Sequence, residues 1–160
     1  MRVLIVDENK ERGEMFVSLL SKYCDHCETY AVVSGRDAVL SFVRNHDAGT
    51  PFTFICMRHP LPIVDGLEAL QQIRYYEKEH SGEAPRCAVC IISARPDCQK
   101  LFTDFLGCDP HASFMSHPVN LFELLTLIKE SHPVKSKPPV SAHHKSPILL
   151  RTLQRVGLHA

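Results

Sequence analysis

The sequence predicts an α/β fold, a doubly wound parallel sheet with helices on both faces. Three observations carry that prediction. Short apolar runs recur five times along the chain, the first rich in β-branched residues. A segment with apolar residues at helical spacing follows each run. The third and fourth runs are apolar throughout, as central strands buried on both faces are.

The elements follow in order. Arg2–Val6 reads as a buried strand, closed by Asp7-Glu8-Asn9 as turn and helix cap. Arg12–Tyr23 repeats Met15, Phe16, Leu19, Leu20 and Tyr23 at helical spacing. Glu28–Val33 is a second strand stopped by Ser34-Gly35, and Arg36–Arg44 a helix with Ala38, Val39 and Phe42 on one face. Phe52–Met57 is the third strand, and Leu67–Tyr76 a helix carrying Leu67, Leu70, Ile73 and Arg74 in register. Cys87–Ile92 is the fourth strand, followed by a helix around Asp97–Leu106. Ala112–Met115 is a short fifth strand, and Asn120–Ile128 closes the body as a helix through Leu121, Leu124, Leu125 and Ile128. In open parallel sheets, function gathers at the carboxyl ends of the strands. The residues to inspect are therefore Asp7, Glu8, Arg58, Ser93, Ser116 and His117.

The 160 residues fit one domain of 1–131 with an extension, 132–160. Basic and acidic side chains number 18 each, yet no Asp or Glu follows Glu130, while five of the cations do. Residues 1–130 thus hold 13 basic and 18 acidic side chains, a mildly acidic body with a basic tail. That tail, with "HPVKSKPPVSAHHKSP", reads as a flexible linker, with a short helix over 147–156 opened by Ser146-Pro147. No concentrated basic stripe argues for nucleic acid, and no apolar stretch is long enough to cross a bilayer. The start lacks the apolar length of a signal peptide, so a cytoplasmic or nuclear location is expected.

Four stretches, in order and each at a strand end, resemble the receiver domains of response regulators, the CheY-like phosphoryl-accepting modules of two-component and phosphorelay signalling. They are "VLIVDEN", "PLPIVDGLEAL", "IISA" and "FMSHPVN". The layout around "YEKEHSGEAP" is similar to receivers attached to eukaryotic hybrid histidine kinases. The resemblance covers about the first 130 residues. It implies a flavodoxin-like (βα)5 sheet in the order 2-1-3-4-5. It also implies a protein partner (histidine kinase, phosphotransfer protein or output domain) on the face of helix 4, strand 5 and helix 5, with a homodimer as a further option.

The resemblance fails at two positions. Eight residues before Gly66, where the family carries its phosphoacceptor aspartate, stands Arg58, and where the family has a phosphate-contacting lysine stands His117. A guanidinium has no nucleophilic carboxylate and stays protonated, so Arg58 cannot form an acyl phosphate. The expectation is a pseudo-receiver, not an enzyme, with no cofactor and no bound metal. In it Arg58 replaces Mg²⁺ beside the acidic pair Asp7 and Glu8, and holds the pocket through an oriented Arg–carboxylate contact. Ser93, Phe114 and His117 occupy the family's switch-like positions. The alternative is a still-active receiver with another phosphoacceptor, or a small-molecule site in the same strand-end cleft.

Plainer readings stand beside these. Ser93 caps the next helix, Phe114 is core, Asp65-Gly66 is a turn, and His59 and His117, lacking positioned partners, are structural. Flavin binding would need a Ser/Thr/Gly-rich phosphate loop after strand one, which "DENKER" is not. The seven cysteines, an odd number, argue against a disulfide framework. Cys24-x-x-Cys27 and Cys87-x-x-Cys90 imitate a zinc site, but three strand spacings, about 14 Å, separate them. Free buried thiols are expected.

Overall fold

The computed structural model describes residues 1–131 except 81, 83–84, 96 and 107–108. The tail helix expected over 147–156 lies outside the described residues. The described chain alternates β1 (Arg2–Val6), α1 (Lys10–Tyr23), β2 (Glu28–Val32), α2 (Gly35–Asp47), β3 (Phe54–His59), α3 (Gly66–His80), β4 (Ala88–Ser93), α4 (Cys98–Leu106), β5 (Ala112–Ser116) and α5 (Leu121–Glu130). The strands form one parallel sheet in the order β2-β1-β3-β4-β5, as expected. β3 starts two residues later than its apolar run and continues through Arg58 and His59, because both pair with β4, opposite Ile92 and Ser93.

The chain divides into two compact units, Met1–Val119 and Asn120–Ala160. In the first, strand alternation sorts the side chains. Leu4 and Val6, Ile55 and Met57, and Val89 and Ile91 join Ala38, Phe42, Leu70, Ile73 and Phe102 of α2, α3 and α4 in one core. Val3, Ile5, Cys56 and Cys90 alternate with these and are buried as well. α1 covers β1 and β2, with Gly13 over Ala31 and Asp7. Full burial of such Leu, Ile and Phe side chains stabilises by about 1.5–3 kcal/mol each. The second unit begins at Asn120, whose side chain accepts from the N–H groups of Phe122 and Glu123 and so caps α5. Leu124 and Ile128 of that helix are buried.

Close approaches explain two glycines. A Cβ on Gly35 would collide with the Val64 carbonyl oxygen, and one on Gly66 would lie 2.9 Å from that of Arg58. Gly66 thus lets the start of α3 rest on the strand end that carries Arg58.

Candidate functional site

The β1–α1 turn builds the acidic half of the site. Asn9 caps α1, accepting from the Arg12 N–H, which fixes the first helical turn above β1. That turn returns the Arg12 side chain over Asp7. Its Nε donates to Asp7 Oδ2 at 2.6 Å and its second guanidinium nitrogen to Asp7 Oδ1 at 2.6 Å. The same nitrogen reaches Glu8 Oε1 at 3.1 Å. Asp7 Oδ1 also accepts from the Asn9 N–H at 2.9 Å. Asp7 is buried and Glu8 exposed. The hydrogen bond to Asp7 is the main cause of an Arg12 pKa raised above its ordinary value.

Arg58 was expected to make this contact, and here the structure corrects the sequence reading. Val6 pairs with Met57, so one step further Asp7 comes level with Arg58 on the neighbouring strand. Both carboxylate oxygens of Asp7 are nevertheless occupied by Arg12. The half-buried Arg58 guanidinium makes no hydrogen bond or ion pair among the described residues. A forked donor one helical turn away on the same chain meets a carboxylate with both N–H groups parallel, a match that mere adjacency on a strand does not supply. Arg58 is felt through charge instead. Burial first, then Cys90 and Asp7, push the Cys56 thiol well above its usual pKa, while Arg58 opposes them.

The other positions are also fixed. Ser93 is buried and its Oγ accepts from the Arg95 N–H at 3.2 Å, a turn contact within the loop and not the helix cap expected of it, since α4 begins at Cys98. Phe114 is partly buried against the core, its ring centroid 5.4 Å from that of Phe102. His117 is exposed, and its N–H donates to the Ser93 carbonyl at 2.9 Å.

Sequence reasoning missed two groupings. His59, taken there as partnerless, is buried with Nδ1 2.9 Å from Asp65 Oδ1 and its ring edge-on to Phe102. Asp65 also accepts from the Leu67 N–H, so the Asp-Gly turn orients a histidine as well as starting α3. His59 lines an open cleft of about 310 Å³ with Arg95, Asp97, Cys98, Lys100, Leu101 and Asp104. The second grouping is at the opposite strand ends, where Arg74 bridges Glu77 (2.7 Å) and Asp109 (2.6 Å). The signal for it was Arg74 in register with the apolar residues of α3.

The cysteines divide differently from expectation. Cys24 and Cys27 form a disulfide with Cα atoms 5.7 Å apart. α1 ends at Tyr23 with Cys24 as its C-cap, and the turn brings Cys27 straight back, so no larger framework is needed. Cys56, Cys87 and Cys98 are free and buried, as expected.

No family model matches the chain. Two Dictyostelium discoideum proteins are similar to it: hybrid signal transduction histidine kinase L, 31% identical over 134 residues and 81% of this chain, and hybrid signal transduction histidine kinase G, 24% identical over 135 residues and 84%. The chain spans 7% and 4% of their lengths. Among solved structures, the receiver domain of the Saccharomyces cerevisiae response regulator Ssk1, crystallised with the histidine phosphotransfer protein Ypd1, has a TM-score of 0.65 and 26% identity, over 81% of this chain and 87% of that one. This chain is a response-regulator receiver domain. Its fold is shared by a receiver protein from Pseudomonas putida, with a TM-score of 0.63 at 18% identity over 81% of this chain and 95% of that one.

The receiver family implies a Mg²⁺ ion among strand-end carboxylates. The residues present here do not fit it. Asp7 has given both oxygens to Arg12, β3 ends in Arg58 and His59, and no group of three or more His, Cys, Asp or Glu among the described residues could hold a metal. A hard divalent ion asks for several free oxygens at once.

Proposed function

We propose that this receiver domain is a pseudo-receiver: a non-enzymatic, phosphorylation-independent module that recruits or regulates a protein partner in phosphorelay signalling. The observation that carries the reading is the exchange of charges at the β1 and β3 ends. A guanidinium stands where the family's phosphoacceptor carboxylate would, and the buried acid of β1 is already neutralised by Arg12. Without the phosphoryl switch the strand ends keep one favoured state, and a partner can act only by binding two states unequally.

The partner is a protein of the phosphorelay, a histidine kinase, a phosphotransfer protein or an output domain. The Ypd1-bound relative supports that class. We infer that α4 and β5 contribute to the contact, and exposed Leu101 on α4 supports this.

Incubation with acetyl phosphate and Mg²⁺, followed by intact mass, tests the reading. No adduct is expected. A phosphate adduct that disappears on mutation of Asp7 or Glu8 would overturn it. Converting Arg58→Asp alone should leave phosphorylation poor, whereas Arg58→Asp with His117→Lys should accept phosphate better, because an imidazole is a weak stand-in for a charged lysine at neutral pH. Equal labelling of the single and double variants would remove His117 from the argument.

A further inference from the structure

The turn between α1 and β2 carries the Cys24–Cys27 pair, which the strand-end site does not use. Cys24 is the C-cap of α1, its N–H donating to the Leu20 carbonyl, and it is buried. Cys27 is only half-buried, and the two residues between, Asp25 and His26, are exposed. Cys56, Cys87, Cys90 and Cys98 are all buried. Among the described residues, then, this pair alone is both bridged and within reach of solvent.

The two sulfurs are not equivalent. Cys24 is the buried C-cap of a 14-residue helix, its sulfur covered from an external disulfide. Cys27 lies past that end, partly open, beside His26. C-x-x-C spacing with one open and one covered sulfur is the arrangement by which dithiols exchange with an external disulfide.

We propose that Cys24 and Cys27 form a reversible dithiol–disulfide site whose reaction partner is a low-molecular-weight disulfide of the glutathione type. In the oxidising direction Cys27 loses its proton to solvent and its thiolate attacks one sulfur of the external disulfide. The external S–S bond breaks and the first thiol leaves. Cys24, deprotonated in turn, attacks the Cys27 sulfur of the mixed disulfide, the new S–S bond closes, and the second thiol leaves. Two protein thiols and one external disulfide become one protein disulfide and two external thiols. In reverse, an external thiolate attacks the Cys27 sulfur, because it is the reachable one.

Trypsin isolates the site, since cleavage after Lys22 and Arg36 gives a peptide, 23–36, that contains Cys24 and Cys27 and no other cysteine. The full chain is equilibrated across ratios of reduced to oxidised glutathione, acid-quenched, labelled with N-ethylmaleimide in denaturant and digested. The peptide should carry two labels at the reducing end and none at the oxidising end, with one two-electron transition between. In Cys24→Ser, Cys27 should accumulate as the glutathione mixed disulfide. In Cys27→Ser, Cys24 should form it at least tenfold more slowly. Two labels at every ratio would overturn the proposal, as would a bridge that survives excess dithiothreitol in native buffer. Faster adduct formation on Cys24 than on Cys27 would overturn the assigned roles.

Discussion

Two arginines clamp carboxylates at opposite ends of the same sheet, and they differ in what they tie together. Arg74 bridges Glu77 and Asp109 and donates to the carbonyls of Cys87 and His111, while Glu77 accepts from the Cys87 N–H. Those bonds join α3 to the start of β4 and to the turn before β5, across up to 37 residues. The side chains of Arg74 and Glu77 are 14% and 3% exposed. Arg12 instead holds Asp7 and Glu8, five and four residues away, with its own side chain 29% and that of Glu8 43% exposed. The first cluster is a long-range stitch with each carboxylate anchored to arginine or backbone. The second is a local clasp that can be undone without separating any two elements beyond a turn.

Removing the stitch should have the largest effect. Arg74→Ala leaves Glu77 buried without its cation, and breaking a buried pair from one side costs about 3–5 kcal/mol. Urea unfolding should show that loss, and a change below about 1 kcal/mol would mean the network is no more than a surface pair. Arg12→Ala should cost less, about 1–3 kcal/mol, the range for a buried charged group deprived of its hydrogen-bond partner. It should also create a Mg²⁺ response absent from wild type, with the unfolding midpoint rising in millimolar Mg²⁺. An unresponsive Arg12→Ala protein would show that Asp7 and Glu8 cannot converge on a cation even when released.

The pH dependence sharpens the contrast. Burial alone would raise the Asp109 carboxyl, but the hydrogen bond and charge of Arg74, with the His111 N–H, hold it below its ordinary 3.8. Its stabilisation is therefore complete above the ordinary aspartate range and is lost as pH falls through the lowered folded value. Asp109→Asn should flatten the acid limb of stability against pH below about 4; an unchanged slope would show that Asp109 carries no such linkage. The smallest effect is expected of Arg58→Ala. Having no bonded partner among the described residues, Arg58 should cost within about 0.5 kcal/mol when truncated, and the variant should remain indifferent to Mg²⁺. A loss as large as that of Arg12→Ala would return Arg58 to the role first expected of it.

The reason Arg58 and not Arg12 drew attention in the sequence is physical. Strand and helix periods are visible in one dimension, so β1, β4 and the apolar registers of α1, α3 and α5 could be read almost to the residue. The end of β3 could not, because Arg58 and His59 break the apolar run while their backbones still pair with β4. The Asp7–Arg12 contact depends on where Asn9 starts α1 and on which way a long side chain turns back, neither of which residue spacing records. Glu77 was hidden for a related reason: in "YYEKEH" it looks like one of several solvated charges, and only its position one helical turn from Arg74 places it inside. The Cys24–Cys27 bridge was discounted on the parity of the cysteine count, an argument about compartments rather than about a turn that returns on itself within three residues.

The Arg12 clasp has a consequence for how the strand ends respond to their ionic surroundings. A tethered group acts on its neighbour at an effective concentration that for short links is of order millimolar, and a guanidinium held by the first turn of α1 cannot diffuse away. Any free cation seeking Asp7 must compete with that resident donor, so its apparent affinity falls by the fraction of time the clasp is open. Changes in free divalent ion that would load and unload an ordinary carboxylate cluster should pass this one by. The domain carries its counterion in its own sequence, and the electrostatic state of its strand ends becomes a property of the fold rather than of the solution.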